Sequence, residues 1–324
     1  QSGERQFVTY RSGIIRIKPV VPRLFLYLWG KLDAVEKAVE TVQLSRLQAL
    51  FAQWCGRQPE TITALPPSGS YRCYWRLQSG TFSALGAWNA DKRENDAFLS
   101  FTAAFKNAGV PVPAIYAIDD EVDCYLLEDL GSVMLFDRVH GHADDAAVIA
   151  LYKASLEGLV DLQLKGRECV DFSKCYPRAA FDRDSMMWDL NYFKYYFLKL
   201  VRIPFDEQAL EDDFRRFTDY LLQERADYFL FRDFQSANIM IKEERPYFID
   251  YQGGRRGALQ YDVASLLFDA KARLSKSVRE ELVHHYLDTL AQHQPVFRTE
   301  FLHFYEGFVL IRLMQAMGAF GFRG

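Results

Sequence analysis

Cysteine is scarce in this chain and badly placed for cross-linking. The five cysteines stand at positions 55, 73, 124, 169 and 175, odd in number and without a CxxC spacing, so neither a disulfide framework nor a zinc ribbon is indicated. A reducing, cytoplasmic setting is the simplest expectation. Histidine is equally thin. Of six, His140 and His142 lie two apart and His284 and His285 are adjacent, and neither pair has a third ligand at metal spacing. No segment holds about 18 consecutive apolar residues, so no membrane span is expected. Excess positive charge is missing too: a formal charge of -4 leaves no polybasic face for nucleic acid, and small-molecule partners fit better. There is no internal repeat and no low-complexity linker.

What the chain does contain is apolar and aromatic. Its 324 residues are 49% hydrophobic and 15% aromatic, enough for a sizeable core and against global disorder, and the length favours two lobes over one small domain. Residues 1–31 form a basic extension of unknown role, with Arg5, Arg11, Arg16, Lys18, Arg23 and Lys31 set against the single acid Glu4. Its apolar stretch, Leu24 to Trp29, is too short for a signal peptide and lacks a small-residue cleavage site. The pattern Asp33-Ala-Val-Glu36 then predicts a capping box opening a helix to about residue 55.

A second capping-box pattern, Asp91-Lys-Arg-Glu94, predicts a helix with Phe98, Phe101 and Phe105 on one face. The flanking stretches read as strands: Cys73–Leu77, Phe82–Trp88, and the pair Ala114–Ile118 and Val122–Leu127 across an acidic turn. The segment Pro66-Pro-Ser68-Gly69-Ser70 is a turn beside the first of these, readable as an ordinary hairpin turn or as a flap over phosphates. After Glu128-Asp-Leu130-Gly131, helical periodicity dominates to the end, over residues near 144–165, 184–200, 206–226, 262–273, 276–293 and 298–317. The expected architecture is α+β and two-lobed: a strand-rich lobe over 32–131 and a helical lobe over 132–324.

One interruption of the helical pattern carries the chemistry. Phe231-Arg-Asp233-Phe-Gln-Ser-Ala-Asn238-Ile-Met-Ile, followed by Tyr247-Phe-Ile-Asp250, places an acid five residues before an amide, then a short strand, then a second acid at the end of another strand. That order suits phosphoryl transfer: a base for the acceptor hydroxyl at Asp233, and oxygen ligands for Mg²⁺ at Asn238 and Asp250, with ATP as phosphoryl donor.

With Glu128-Asp-Leu-Gly131 before it and Gln260-Tyr-Asp262-Val-Ala-Ser after it, this cassette resembles the aminoglycoside phosphotransferase and choline kinase-like branch of the kinase fold. Within that branch it looks most like the sugar kinases of cell-wall recycling, which phosphorylate the anomeric hydroxyl of N-acetylmuramate and N-acetylglucosamine. The likeness spans roughly residues 60–320, with its specific part at 229–267. It implies that Asp262 braces the catalytic loop and that backbone around Leu126 to Leu130, including Glu128, receives the adenine edge.

Two positions depart from the family pattern. Phe231 replaces the usual catalytic-loop histidine, where an aromatic ring can pack instead. The strand expected to carry the phosphate-binding lysine reads Ala84-Leu-Gly-Ala-Trp88-Asn89 without a cation, leaving Arg76, Lys92 or Arg93 to substitute, with Glu94 as partner or as capping carboxylate. For the acceptor, Trp188, Asp189 and Asn191 are candidate sugar contacts, and Arg255 and Arg256 could clamp an anion or lie in a solvated turn. An amino sugar is the expected acceptor, and a further C-terminal domain is possible. The competing readings are a nucleotide-binding pseudokinase and an aminoglycoside-type antibiotic kinase. A protein substrate is disfavoured, because no Ala-Pro-Glu-like anchor lies between Asp250 and Asp262.

Overall fold

The computed structural model describes residues 40–66 and 72–323. The chain divides into a first unit, Gln1–Arg46, and a second, Leu47–Gly324. Of the first, residues 40–46 are described and are helical, belonging to a helix that runs over 40–55 (α1). The proposed basic extension and the capping box at Asp33 lie outside the described residues. Everything below concerns the second unit.

Its first layer is a five-stranded antiparallel sheet built from β1 (Thr61–Ala64), β2 (Cys73–Ser79), β3 (Phe82–Trp88), β4 (Ile115–Ile118) and β5 (Cys124–Glu128), in the order β1-β2-β3-β5-β4. Consecutive strands joined by short turns pair directly, as Cys73↔Trp88 and Ser79↔Phe82 show for β2 and β3. The exception is β5, which inserts between β3 and β4, because helix α2 (Lys92–Asn107) separates β3 from the β4–β5 hairpin. Strands β2 and β3 meet across Gly80 at φ +58°, a conformation open to glycine at little steric cost.

Helix α2 begins where the capping pattern predicts. Asp91 is its N-cap and accepts hydrogen bonds from the backbone N–H groups of Arg93 and Glu94. Its three phenylalanines are buried and reach beyond the sheet: Phe101 and Phe105 meet Phe229 edge-on at 5.7 and 5.0 Å, and Phe98 stacks on Tyr251 at 5.3 Å. Each buried ring contributes on the order of 2 kcal/mol of apolar transfer free energy, and together they fix α2 against the catalytic segment.

After the crossing at Glu128–Gly131 the second layer is helical: α3 (Leu135–Val139), α4 (Ala146–Cys169), α5 (Arg183–Phe193), which continues into a turn of π-helix over Lys194–Leu198, α6 (Glu207–Leu221), α7 (Leu259–Leu267), α8 (Lys276–Leu290) and α9 (Arg298–Arg323). Strands β6 (Tyr228–Leu230) and β9 (Arg255–Gly257) pair with each other, as do β7 (Ile239–Lys242) and β8 (Arg245–Phe248). This is a two-lobed, protein-kinase-like α+β fold, with a small antiparallel sheet ahead of a larger helical lobe. No helix among the described residues is long and apolar enough to cross a membrane.

Candidate active site

The loop that follows β6 is held from three directions. Phe231 is fully buried, with its ring against Phe234 at 5.2 Å and Tyr251 at 6.1 Å, so an aromatic ring fills the position where the family carries histidine. The backbone N–H groups of Phe231 and Arg232 both donate to the carboxylate of Asp262, at 2.7 and 3.0 Å. Burial pushes this carboxyl up to about 7, against the two backbone donors and Gln163, which favour its ionised form. The third tie is the Arg232 side chain. It lies over the rings of Phe181 and Tyr261 and makes a two-pronged salt bridge to Asp189, at 2.6 and 2.8 Å. Arg232 sits at φ +86°, a region that costs a non-glycine residue about 1–3 kcal/mol, and these contacts hold it there.

Asp233 follows directly, with its side chain half exposed at 49%. The loop then turns back on itself: the side-chain amide of Asn238 donates to the Asp233 carbonyl at 2.8 Å. With its nitrogen so engaged, the Asn238 amide oxygen is left for another ligand. The β7–β8 hairpin delivers Asp250, at φ +71°, to the same place. Asp250 is open to solvent yet flanked by protein on most sides. Burial raises its pKa, Gln252 opposes this through a hydrogen bond, and the neighbouring charge of Asp233 raises it further. Two carboxylates that repel, with an amide oxygen beside them, form a donor set suited to a hard divalent cation such as Mg²⁺.

Behind Asp250 runs a polar chain. Gln252 donates to Asp250 at 2.7 Å and to Glu94 at 3.3 Å. Glu94 also accepts from Asn89 at 2.8 Å and pairs with Arg72 at 3.5 Å. Glu94 therefore turns inward from α2, and the Asp91 N–H that a full capping box would give it goes to Asn89 instead. The cation facing Glu94 is Arg72, at the entrance to β2, almost completely buried and 5.5 Å above the ring of Phe98. Strand β3 itself, Phe82–Trp88, carries no cation, and Arg72 precedes β2, outside the strand where the sequence pattern places one.

The cations named from sequence have other neighbours. Arg76 forms a two-pronged bridge to Asp129, at 2.8 and 3.0 Å, and donates to the Gly131 carbonyl. Arg93 lies over the ring of Tyr176 at 4.5 Å. Glu128 bonds Lys242 at 2.8 Å and the Ala114 N–H at 3.2 Å. These ties lower its pKa although its burial works the other way, so its side chain joins the two lobes. Leu130 is buried at the crossing. Ser68, Gly69 and Ser70 lie outside the described residues.

Of the acceptor candidates, Trp188 is exposed beside Arg178, and Asn191 is half-buried on the same helix. Asp189 requires correction as a sugar contact: it is 6% exposed and both its oxygens are engaged by Arg232. One helical step of about 100° separates it from the exposed Trp188. Arg256 is exposed and covers Phe172 at 4.1 Å. Arg255 is buried, donates to the Gly253 carbonyl at 3.1 Å, and has its pKa lowered by burial and by the nearby Arg232 charge.

Paired acids on a loop and a hairpin thus face a buried arginine–glutamate pair. The chain belongs to the phosphotransferase enzyme family, which it matches over residues 84–296. It is 29% identical over 224 residues to an N-acetylmuramate/N-acetylglucosamine kinase of Pseudomonas aeruginosa, covering 67% of this chain and 62% of that protein. It is 27% identical over 217 residues to one of Neisseria meningitidis, covering 64% and 61%. The chain thus spans about three fifths of the length of these curated relatives. In fold it is similar to the amicoumacin kinase hAmiN, solved with AMP-PNP, Ca²⁺ and Ami, at a TM-score of 0.62 and 14% identity, covering 82% of each chain.

Proposed function

We propose that this chain is an ATP- and Mg²⁺-dependent phosphotransferase that phosphorylates a hydroxyl of a small polar molecule, specifically the anomeric hydroxyl of an amino sugar of the N-acetylmuramate or N-acetylglucosamine kind. The observation that carries the reading is the meeting of Asp233, Asn238 and Asp250, close enough for Asp233 to raise the Asp250 pKa. Asp233, the half-exposed acid, orients the acceptor hydroxyl and takes its proton, a contribution of about 10²–10⁴-fold. Asn238 and Asp250 supply the oxygen ligands for Mg²⁺. When bound, the cation would neutralise charge on the transferred group.

Arg72 takes the place of the absent β3 lysine as the cation on the nucleotide phosphates, and Glu94 and Gln252 connect it to Asp250. Asp189, Arg232 and Asp262 hold the loop so that Asp233 needs no rearrangement before reaction. Backbone at the Glu128–Gly131 crossing receives the adenine edge. The amino-sugar preference is supported by the two curated relatives, both named for N-acetylmuramate and N-acetylglucosamine.

The test is phosphate transfer from γ-labelled ATP to N-acetylated amino sugars, aminoglycosides and choline-like alcohols, with Asp233→Asn in parallel. Transfer to an amino sugar that disappears in the variant is the expected result. ATP binding without transfer to any acceptor would replace this reading with a nucleotide-binding regulator.

A further inference from the structure

A buried arginine stands beside the catalytic carboxylate without belonging to the loop that carries it. Arg312 lies just past the middle of the mostly apolar helix α9 and is 7% exposed. Two of its guanidinium nitrogens are fixed: Nε donates to Ser265 Oγ of α7 at 2.9 Å, and Nη1 donates to Gln315 one turn further on. The third, Nη2, has no hydrogen-bond acceptor among the described residues and lies 4.0 Å from Asp233 Oδ1. That separation is too long for a hydrogen bond but leaves room for one oxygen atom to touch both groups. Asp233 is half exposed, so such an atom can arrive from solvent.

From this geometry we infer that Arg312 is an acceptor-binding and specificity residue: the hydroxyl oxygen that hydrogen-bonds Asp233 accepts a hydrogen bond from Arg312 Nη2. This deepens the phosphotransferase reading and rests on it. As the acceptor oxygen forms its bond to the γ-phosphorus, the bond from that phosphorus to the bridging oxygen breaks, with its electron pair leaving on ADP. The hydroxyl proton passes to Asp233. Arg312 keeps its own protons and stabilises the negative charge that develops on the attacking oxygen. Its fixed positive charge also sorts acceptors. An acceptor with an ammonium group near the reacting hydroxyl would face a guanidinium with little water to screen it, whereas a neutral or acidic sugar would not. The acceptor class is therefore a neutral or anionic sugar with an acidic hydroxyl, as at a hemiacetal carbon, and not an aminocyclitol.

The test compares wild-type, Arg312→Lys and Arg312→Gln proteins on N-acetylglucosamine, N-acetylmuramate and kanamycin, with ATP binding measured separately. We expect wild type to transfer to the first two at least tenfold better than to kanamycin. Arg312→Gln should lose on the order of 10²-fold in kcat/KM with ATP affinity unchanged, Arg312→Lys should lose less, and added guanidinium ion should restore part of the loss in the glutamine variant. The inference is overturned if wild type favours kanamycin, or if folded Arg312→Gln keeps kcat/KM and acceptor order within about threefold. Acceptor order in wild type decides the matter even if the glutamine variant does not fold. Absence of transfer by wild type to every acceptor would instead defeat the phosphotransferase reading itself.

Discussion

Asp262 offers a quantitative test of how the catalytic loop is held. Its carboxyl is fully buried, with an ordinary value of 3.8 pushed up to about 7 by burial. An acid whose folded pKa exceeds its unfolded pKa stabilises the fold fully below the unfolded value and loses that contribution as pH rises through the folded one. The window here runs from about 3.8 to about 7. Roughly three pH units make the whole loss about 4 kcal/mol, more than half of which falls between pH 5 and pH 8. Asp262→Asn removes this titration. It also turns an amide NH₂ toward one of the N–H groups of Phe231 and Arg232, leaving a buried donor unpaired at about 1–3 kcal/mol. Urea unfolding of both proteins from pH 5 to pH 8 should show the variant less stable at the acid end and the gap shrinking steadily as pH rises. A gap that stays constant across that range would refute the claim that Asp262 changes ionisation on folding.

Three further outcomes follow from the site. Asp250→Asn removes a carboxylate whose raised pKa marks it as destabilising when ionised. At neutral pH without metal, calorimetry should show the variant melting at or above wild type, while Mg²⁺ no longer tightens nucleotide binding. In wild type, that Mg²⁺ effect should weaken as pH falls, beginning above the pH at which an ordinary aspartate would protonate. Asp189→Asn breaks a salt bridge whose side chains are 9% and 16% exposed, so it should cost about 3–5 kcal/mol and lower kcat with little change in the KM for ATP, which steady-state kinetics and urea melts can check together. Arg72→Met should lower kcat/KM for ATP at least tenfold if this cation serves the phosphates, whereas Arg76→Met, which breaks the bridge to Asp129 and the bond to the Gly131 carbonyl, should affect stability more than transfer.

Much of this was written into local sequence. The α2 cap at Asp91, the strand pair around the acidic turn at 119–121 and the helices of the second lobe follow from capping residues, turn residues and apolar periodicity, which act over a few positions and need no partner. The spacing of Asp233, Asn238 and Asp250 was equally legible, because a loop and a hairpin bring near neighbours in sequence together. Tertiary structure alone decided which charges face each other. Asp189 resembled a sugar contact in its aromatic surroundings, and only the packing of α5 against the loop joins it to Arg232, 43 residues away. Arg72 was hidden because sheet register, not strand order, sets its place beside Glu94. Arg312, a cation in the apolar middle of α9, carried a signal of its own, since a charge is rarely buried without a partner. Its partner, 79 positions earlier in the chain, appears only once α9 has folded onto α7.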